Sequence, residues 1–371
     1  MSTYIMNYLD LSEITKIHFE HTSKCNLLCP QCARTSEDGK VNPYLPMGEL
    51  TVDDYKKILT PSFAKQIEHV FWCGNYGDSI ASNNFLECLE FVKSTGIPSI
   101  SIVTNGSARN PDWWVKVANI LNGEHDSIDF SLDGLEDTNH LYRVNSNWKK
   151  IKENVTAYIE AGGKAHWDYL IFDHNIHQVG KAKTYAKEMG FKSINFKNTS
   201  RFVRTDDFNK ASNDALEVKS KKSTRVITSK QNENKTKYEK IIDKYGTFSD
   251  YVDATSISCK YKKRKQIYID FEAKLWPCCW VGAPTYSDGK KNQQRLQLVA
   301  LQERYHKDFN SLREHTLEEI LEHEFYNRDL VDSWNNKMNS SNPKLFTCGR
   351  TCGDSYEFSS VGNFNEQRIR L

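Results

Sequence analysis

Nowhere in the 371-residue chain is there a run of 18 apolar residues, which excludes a transmembrane helix. The opening segment MSTYIMNYLDLSEITKIHFEH lacks a basic stretch followed by an apolar one, so no secretory signal is expected. Net charge is scarce as well. Fifty Lys and Arg face 48 Asp and Glu, and a formal charge of +2 gives no global reason to expect nucleic acid or an anionic membrane as partner. The apolar inventory is not short: 38% hydrophobic and 12% aromatic residues exclude disorder and suit one large domain or two. A soluble cytoplasmic protein is the expectation. In a reducing cytosol its ten cysteines are poor candidates for structural disulfides and better ones for metal or redox chemistry.

From about residue 14 to 198, short segments rich in Ile, Val, Phe and Tyr alternate with helical patterns. The expected strands are 14–20, 68–72, 99–104, 127–132, 167–172 and 193–197. Thr51 with Asp54 reads as a capping box, and Asn110-Pro111 as an N-cap with first-turn proline. Further helices are expected over 83–93, 148–160 and 176–189, the last closed by Gly190. Six βα repeats imply an α/β fold with a parallel sheet, a partial (β/α)6 barrel, whose working residues lie at the C-terminal ends of its strands. Residues 201–254 break the alternation. Within them, 219–244 carries nine Lys or Arg against three Asp or Glu and reads as a polar basic linker or inserted helix, less readily as a binding arm. Residues 255–371 read as a smaller C-terminal α+β domain, with a hairpin in QIYIDFEAKLWPCCW and a helix over 316–325.

Cys25, Cys29 and Cys32, in CNLLCPQC, follow directly on the first strand. Three thiolates on one loop can hold three corners of a cubane and leave the fourth iron open to a small molecule. A structural zinc is the alternative, but it asks for four ligands, usually in two closely spaced pairs. The C-x-x-x-C-x-x-C spacing at the end of a first strand resembles the signature of the radical S-adenosylmethionine (SAM) superfamily. That resemblance implies a [4Fe-4S] cluster whose open iron is chelated by SAM. It also implies a one-electron reductant such as flavodoxin or ferredoxin, and a 5′-deoxyadenosyl radical that takes hydrogen from a substrate. Gln31 stands where many members have an aromatic residue. Later strand ends fit the resemblance in order. Tyr76-Gly77-Asp78-Ser79 is similar to the family's G-G-E-P motif, which makes Gly77 and Asp78 candidate SAM contacts. Thr104 and Asn105, then Ser131 and Asp133, stand where the family approaches the ribose and methionine of SAM. Arg143 stands where many peptide-modifying members place an arginine for the SAM carboxylate.

Cys259, Cys278, Cys279, Cys348 and Cys352 form a second group. It is similar to the SPASM/twitch type of C-terminal extension, which implies one auxiliary [4Fe-4S] cluster. Cys259, Cys278, Cys348 and Cys352 are the expected ligands, with Cys279 the substitute for Cys278; zinc remains the alternative there too. Cys73 and Cys88 read as packing residues, Cys88 sharing a helical stripe with Phe85, Leu89 and Val92. The leading functional expectation is hydrogen abstraction from a peptide or protein side chain, ending in oxidation, a cross-link or epimerisation. The alternatives are the same chemistry on a small molecule such as a sugar alcohol or nucleotide, and a non-catalytic zinc protein binding RNA or a partner. Asp168, Asp173, His174 and His177 lie within reach of a substrate, but no spacing rule singles out a catalytic residue among them.

Overall fold

The computed structural model describes residues 7–198, 215–219, 224–228, 233–287, 292–354 and 367–371. Six strands, β1 (Lys16–Phe19), β2 (His69–Trp72), β3 (Ser99–Thr104), β4 (Ser127–Ser131), β5 (Ala165–Ile171) and β6 (Ser193–Asn198), pair in chain order, each parallel to the next. The helices between them start where the caps predict. The Thr51 hydroxyl accepts the Asp54 amide and the Thr51 amide donates to the Asp54 carboxylate before Val52–Ile58, and Asn110 caps Pro111–Ile120. Trp148–Glu160 follows, and Val179–Glu188 ends before Gly190, which adopts a positive φ of 86°.

Strand side chains alternate between faces. On one face Phe19 lies against Tyr55, Trp72 against Phe85, and Phe130 against Trp114 and Tyr158, all from helices. These side chains are fully buried, and cutting one such aromatic to alanine costs about 3–5 kcal/mol. The opposite face is polar, unlike the near-continuous apolar runs of most parallel sheets. It carries His18, His69, Ser101, Asp129, His166, Asp168, Asn195 and Lys197. It is also strongly concave. The Arg368 guanidinium, from a strand beyond β6, meets Asp129 of β4 at 3.3 Å across the two strands between them. Lys197 pairs with Asp168 at 3.0 Å.

A short hairpin, β7 (Ala215–Lys219) with β8 (Thr224–Thr228), stands apart, followed by the helix Glu233–Tyr245. The basic segment 219–244 lies partly outside the described residues, as do 199–214 at the expected domain junction. Then β9 (Gln266–Ile269) and β10 (Leu275–Trp276) form the expected hairpin. Asp270 holds its turn: one carboxylate oxygen accepts the Glu272 and Lys274 amides, and the other accepts the Trp276 indole at 2.8 Å. β9 runs parallel to β1 and hydrogen-bonds to it, so the C-terminal hairpin extends the first sheet. β11 (Gln367–Arg370) covers the far edge, antiparallel to β6. The nine-stranded order β10-β9-β1-β2-β3-β4-β5-β6-β11 is curled and open, a partial barrel. Among the described residues, no helix is long and apolar enough to cross a membrane.

Candidate functional site

The loop that leaves β1 carries Cys25, Cys29 and Cys32 over the C-terminal edge of the sheet. A tight turn joins the last two, the Cys32 amide donating to the Cys29 carbonyl at 3.0 Å. Leu28 donates to the Val144 carbonyl at 3.1 Å, which ties the loop to the segment after β4. Leu27, Cys29, Tyr142, Val144 and Phe172 form one buried cluster, with Cys25 and Cys32 packed against it.

The ends of β2 and β3 close on this loop. Gly77 presses its backbone so near Thr22 that a Cβ would stand 1.7 Å from the Thr22 carbonyl oxygen, and only glycine fits. The next amide, Asp78, donates to the Lys24 carbonyl at 2.8 Å. The Asp78 carboxylate, buried, accepts the Thr104 hydroxyl at 2.9 Å and both the amide and the side-chain nitrogen of Asn105, at 2.8 and 2.6 Å. Burial raises its pKa against the pull of these donors. Asn105 also donates to Asn26 at 3.1 Å, and its side-chain nitrogen lies 3.8 Å from Cys25 Sγ. Three of the expected cofactor residues are thereby wired to the cysteine loop.

The other expected residues gather on the far side. Asp133, fully buried, accepts Arg143 Nε at 2.6 Å and the Leu170 amide at 2.8 Å. Burial opposes the guanidinium charge of Arg143, but Asp133 and then Cys29 outweigh it, and the pKa is raised. Ser131 is half-buried on the polar face and paired in register with Asp168. Asp173, His174 and His177 follow β5 in the 172–178 turn, and none is brought into the hydrogen bonds described above.

Glu20, the first residue after β1, was missed from sequence. Its carboxylate accepts the Tyr76 amide at 2.6 Å, the Gly77 amide at 3.2 Å and the Tyr268 hydroxyl. Burial pushes its pKa up to about 7. Asn75 continues the link, donating to the Tyr268 hydroxyl at 3.0 Å and the Cys279 carbonyl at 3.2 Å. Glu20 and Asn75 thus join the first cysteine loop to the C-terminal hairpin. A lone acidic residue ending a strand carries no signal of this from sequence.

The second cysteine group surrounds a cavity with about 320 Å³ of space free of atoms, part of it open to solvent. Cys259, Cys278, Cys348 and Cys352 line it, together with Tyr8, and Cys279 does not. Cys279 lies instead 4.0 Å from the Tyr261 hydroxyl. Cys259 and Cys278 each cap a short helix, and Cys348 and Cys352 lie one turn apart on the helix Phe346–Cys352. A hydrogen bond from Cys352 draws the Cys259 pKa down, to about 6. The cavity requires chain segments separated by more than 80 residues to meet, which their spacing alone does not dictate.

All ten cysteines are free thiols. Among the described residues, no three of the His, Cys, Asp and Glu side chains are arranged to hold a single metal ion. In a cubane each thiolate binds its own iron and stands farther from the others than around one zinc. Three soft donors on one apolar-walled loop fit three corners of a cluster, and four donors around one cavity fit a fully ligated one.

No curated protein matches the chain in sequence. Among solved structures, it is similar to SuiB of Streptococcus suis bound to the precursor peptide SuiA, at 13% identity and a TM-score of 0.54. That match covers 95% of this chain and 76% of SuiB. It is also similar to anSMEcpe with bound AdoMet, at 14% identity and a TM-score of 0.50, covering 90% of each chain. At such identities the likeness is one of fold. Residues 19–182, somewhat under half of the chain, match the model of the Radical SAM superfamily.

Proposed function

We propose that this protein is an enzyme that cleaves SAM reductively at a [4Fe-4S] cluster held by Cys25, Cys29 and Cys32, and takes a hydrogen atom from a peptide or protein side chain. The carrying observation is the convergence of those three free thiols with Asp78, Thr104 and Asn105 at the C-terminal edge of the sheet. Bound there, the cluster and SAM supply one-electron cleavage of a sulfonium and hydrogen-atom abstraction.

The chain's own residues supply placement. Gly77 lets the turn after β2 sit against the cysteine loop, and Asp78 holds the ends of β2 and β3 at a fixed separation from it. Arg143, kept protonated beside Cys29 by Asp133, offers a guanidinium to a carboxylate in the site. Leu27, Tyr142, Val144 and Phe172 keep water from the loop. The polar concave face carries hydrogen-bonding groups that suit a substrate. The fold shared with SuiB, solved with its precursor peptide, supports a peptide as that substrate. Cys259, Cys278, Cys348 and Cys352 are assigned to an auxiliary [4Fe-4S] cluster with no open iron.

The test is 5′-deoxyadenosine production by anaerobically reconstituted protein with SAM and dithionite. The wild-type chain is expected to form it. Cys29→Ala is expected to lose it by at least a hundredfold, and Cys352→Ala to retain it. Retention by Cys29→Ala contradicts the assignment of the first cluster.

A further inference from the structure

Lys344 is 2% exposed. Its ammonium donates to the carbonyls of Val252, Asp253 and Thr255, at 3.0, 3.2 and 2.8 Å. Three acceptors on one nitrogen use all three protons of the charged form. Among the described residues it makes no ion pair. Asp253, which accepts the Met338 amide, and Asp354, engaged by Thr255, bear on it from beyond ion-pair distance, and so does Cys348. A buried cation whose direct partners are carbonyl dipoles is costly unless anions lie nearby.

The surroundings supply a place for that anion. Lys344 precedes the helix Phe346–Cys352, which carries Cys348 and Cys352. The carbonyls it binds lie just before Cys259. Lys344 therefore clamps together the two chain segments that supply three of the four cavity cysteines, and its charge bears on Cys348. Lys260, half-buried, follows Cys259 in the chain and opens the short helix that Cys259 caps, and its charge bears on Cys352, Cys278 and Cys259. Four thiolates around a cubane carry net negative charge, and reduction adds one more.

Resting on the auxiliary-cluster assignment above, we propose that Lys344, aided by Lys260, is the built-in counter-cation of the centre in the four-cysteine cavity. In that position it raises the centre's reduction potential and tilts it toward accepting electrons. A fixed positive charge in a poorly solvated site favours the more negative, reduced state of the centre.

The experiment is potentiometric titration, followed by electron paramagnetic resonance, of reconstituted wild-type, Lys344→Met and Lys260→Met proteins, with iron and sulfide counted for each. Both variants are expected to keep their iron and to show the auxiliary midpoint shifted to lower potential, more for Lys344→Met. The midpoint of the first cluster should be unchanged. If Lys344→Met does not fold, Lys260→Met alone decides. An auxiliary midpoint equal to wild type in an iron-replete variant overturns the proposal. Wild-type protein that binds four irons rather than eight overturns the cluster assignment beneath it, a distinct result.

Discussion

At the scale of single residues, burial decides which ionisable groups matter. Glu20 titrates near 7 in the folded chain because burial disfavours its charge. The unfolded chain restores an ordinary carboxylate. The folded form then binds more protons than the unfolded one between about pH 4.5 and 7, so this group's contribution to stability is full below that window and is lost as pH rises through it. The contribution is on the order of 3 kcal/mol. Asp129 and Asp270, both raised by burial to about 6, slope the same way. In Glu20→Gln, urea unfolding of the apoprotein at pH 5 and pH 7.5 should show a smaller fall in stability between the two than in wild type; an unchanged fall would show that Glu20 stays ionised. The cysteines divide as sharply. Cys278→Ala should lose about four irons per chain and Cys279→Ala none, because Cys278 alone of the two lines the cavity. The reverse pattern in an iron assay would exchange their roles.

At the scale of elements, sequence served well where signals were local. β1–β6 and the capped helices were legible because alternation, Thr51 with Asp54, Asn110-Pro111 and Gly190 act over a few residues. The hairpin was legible too, but its partner was not. β9 pairs with β1, some 250 residues earlier, and no local pattern encodes that choice. The candidate site divides in the same way. Cys25, Cys29 and Cys32 stand out by their spacing, and Asp78, Thr104 and Asn105 only through the resemblance of their strand-end segments to a known family, whereas Glu20, Tyr268 and Lys344 acquire meaning only through tertiary neighbours. Asp270 is the hinge of the hairpin's attachment. Asp270→Ala strands three donors that its carboxylate satisfies and should destabilise the chain by about 3 kcal/mol, read by chemical denaturation. A loss below 1 kcal/mol would mean that the turn holds without it.

At the scale of the whole molecule, one sheet runs from the hairpin to β11, so residues 16–198 and the C-terminal residues share a hydrogen-bonded frame. A chain ended at residue 254 leaves β1 an open edge, the hazard that edge pairing otherwise removes. Such a truncation should aggregate or lose amide protection at Ile17 and Phe19 in hydrogen exchange. A soluble fragment with wild-type protection would show that residues 1–254 fold independently. The same frame fixes the first cysteine loop relative to the four-cysteine cavity, through Glu20, Asn75 and Tyr268. The central claim remains that Cys25, Cys29 and Cys32 hold a cluster with one iron left for SAM. Its most direct test is the electron paramagnetic resonance spectrum of the reduced first cluster, recorded in Cys352→Ala protein with and without SAM. Coordination at the open iron predicts a change in the g values and line shape when SAM is added. A spectrum that SAM leaves unaltered, or one with no iron–sulfur signal, would contradict it.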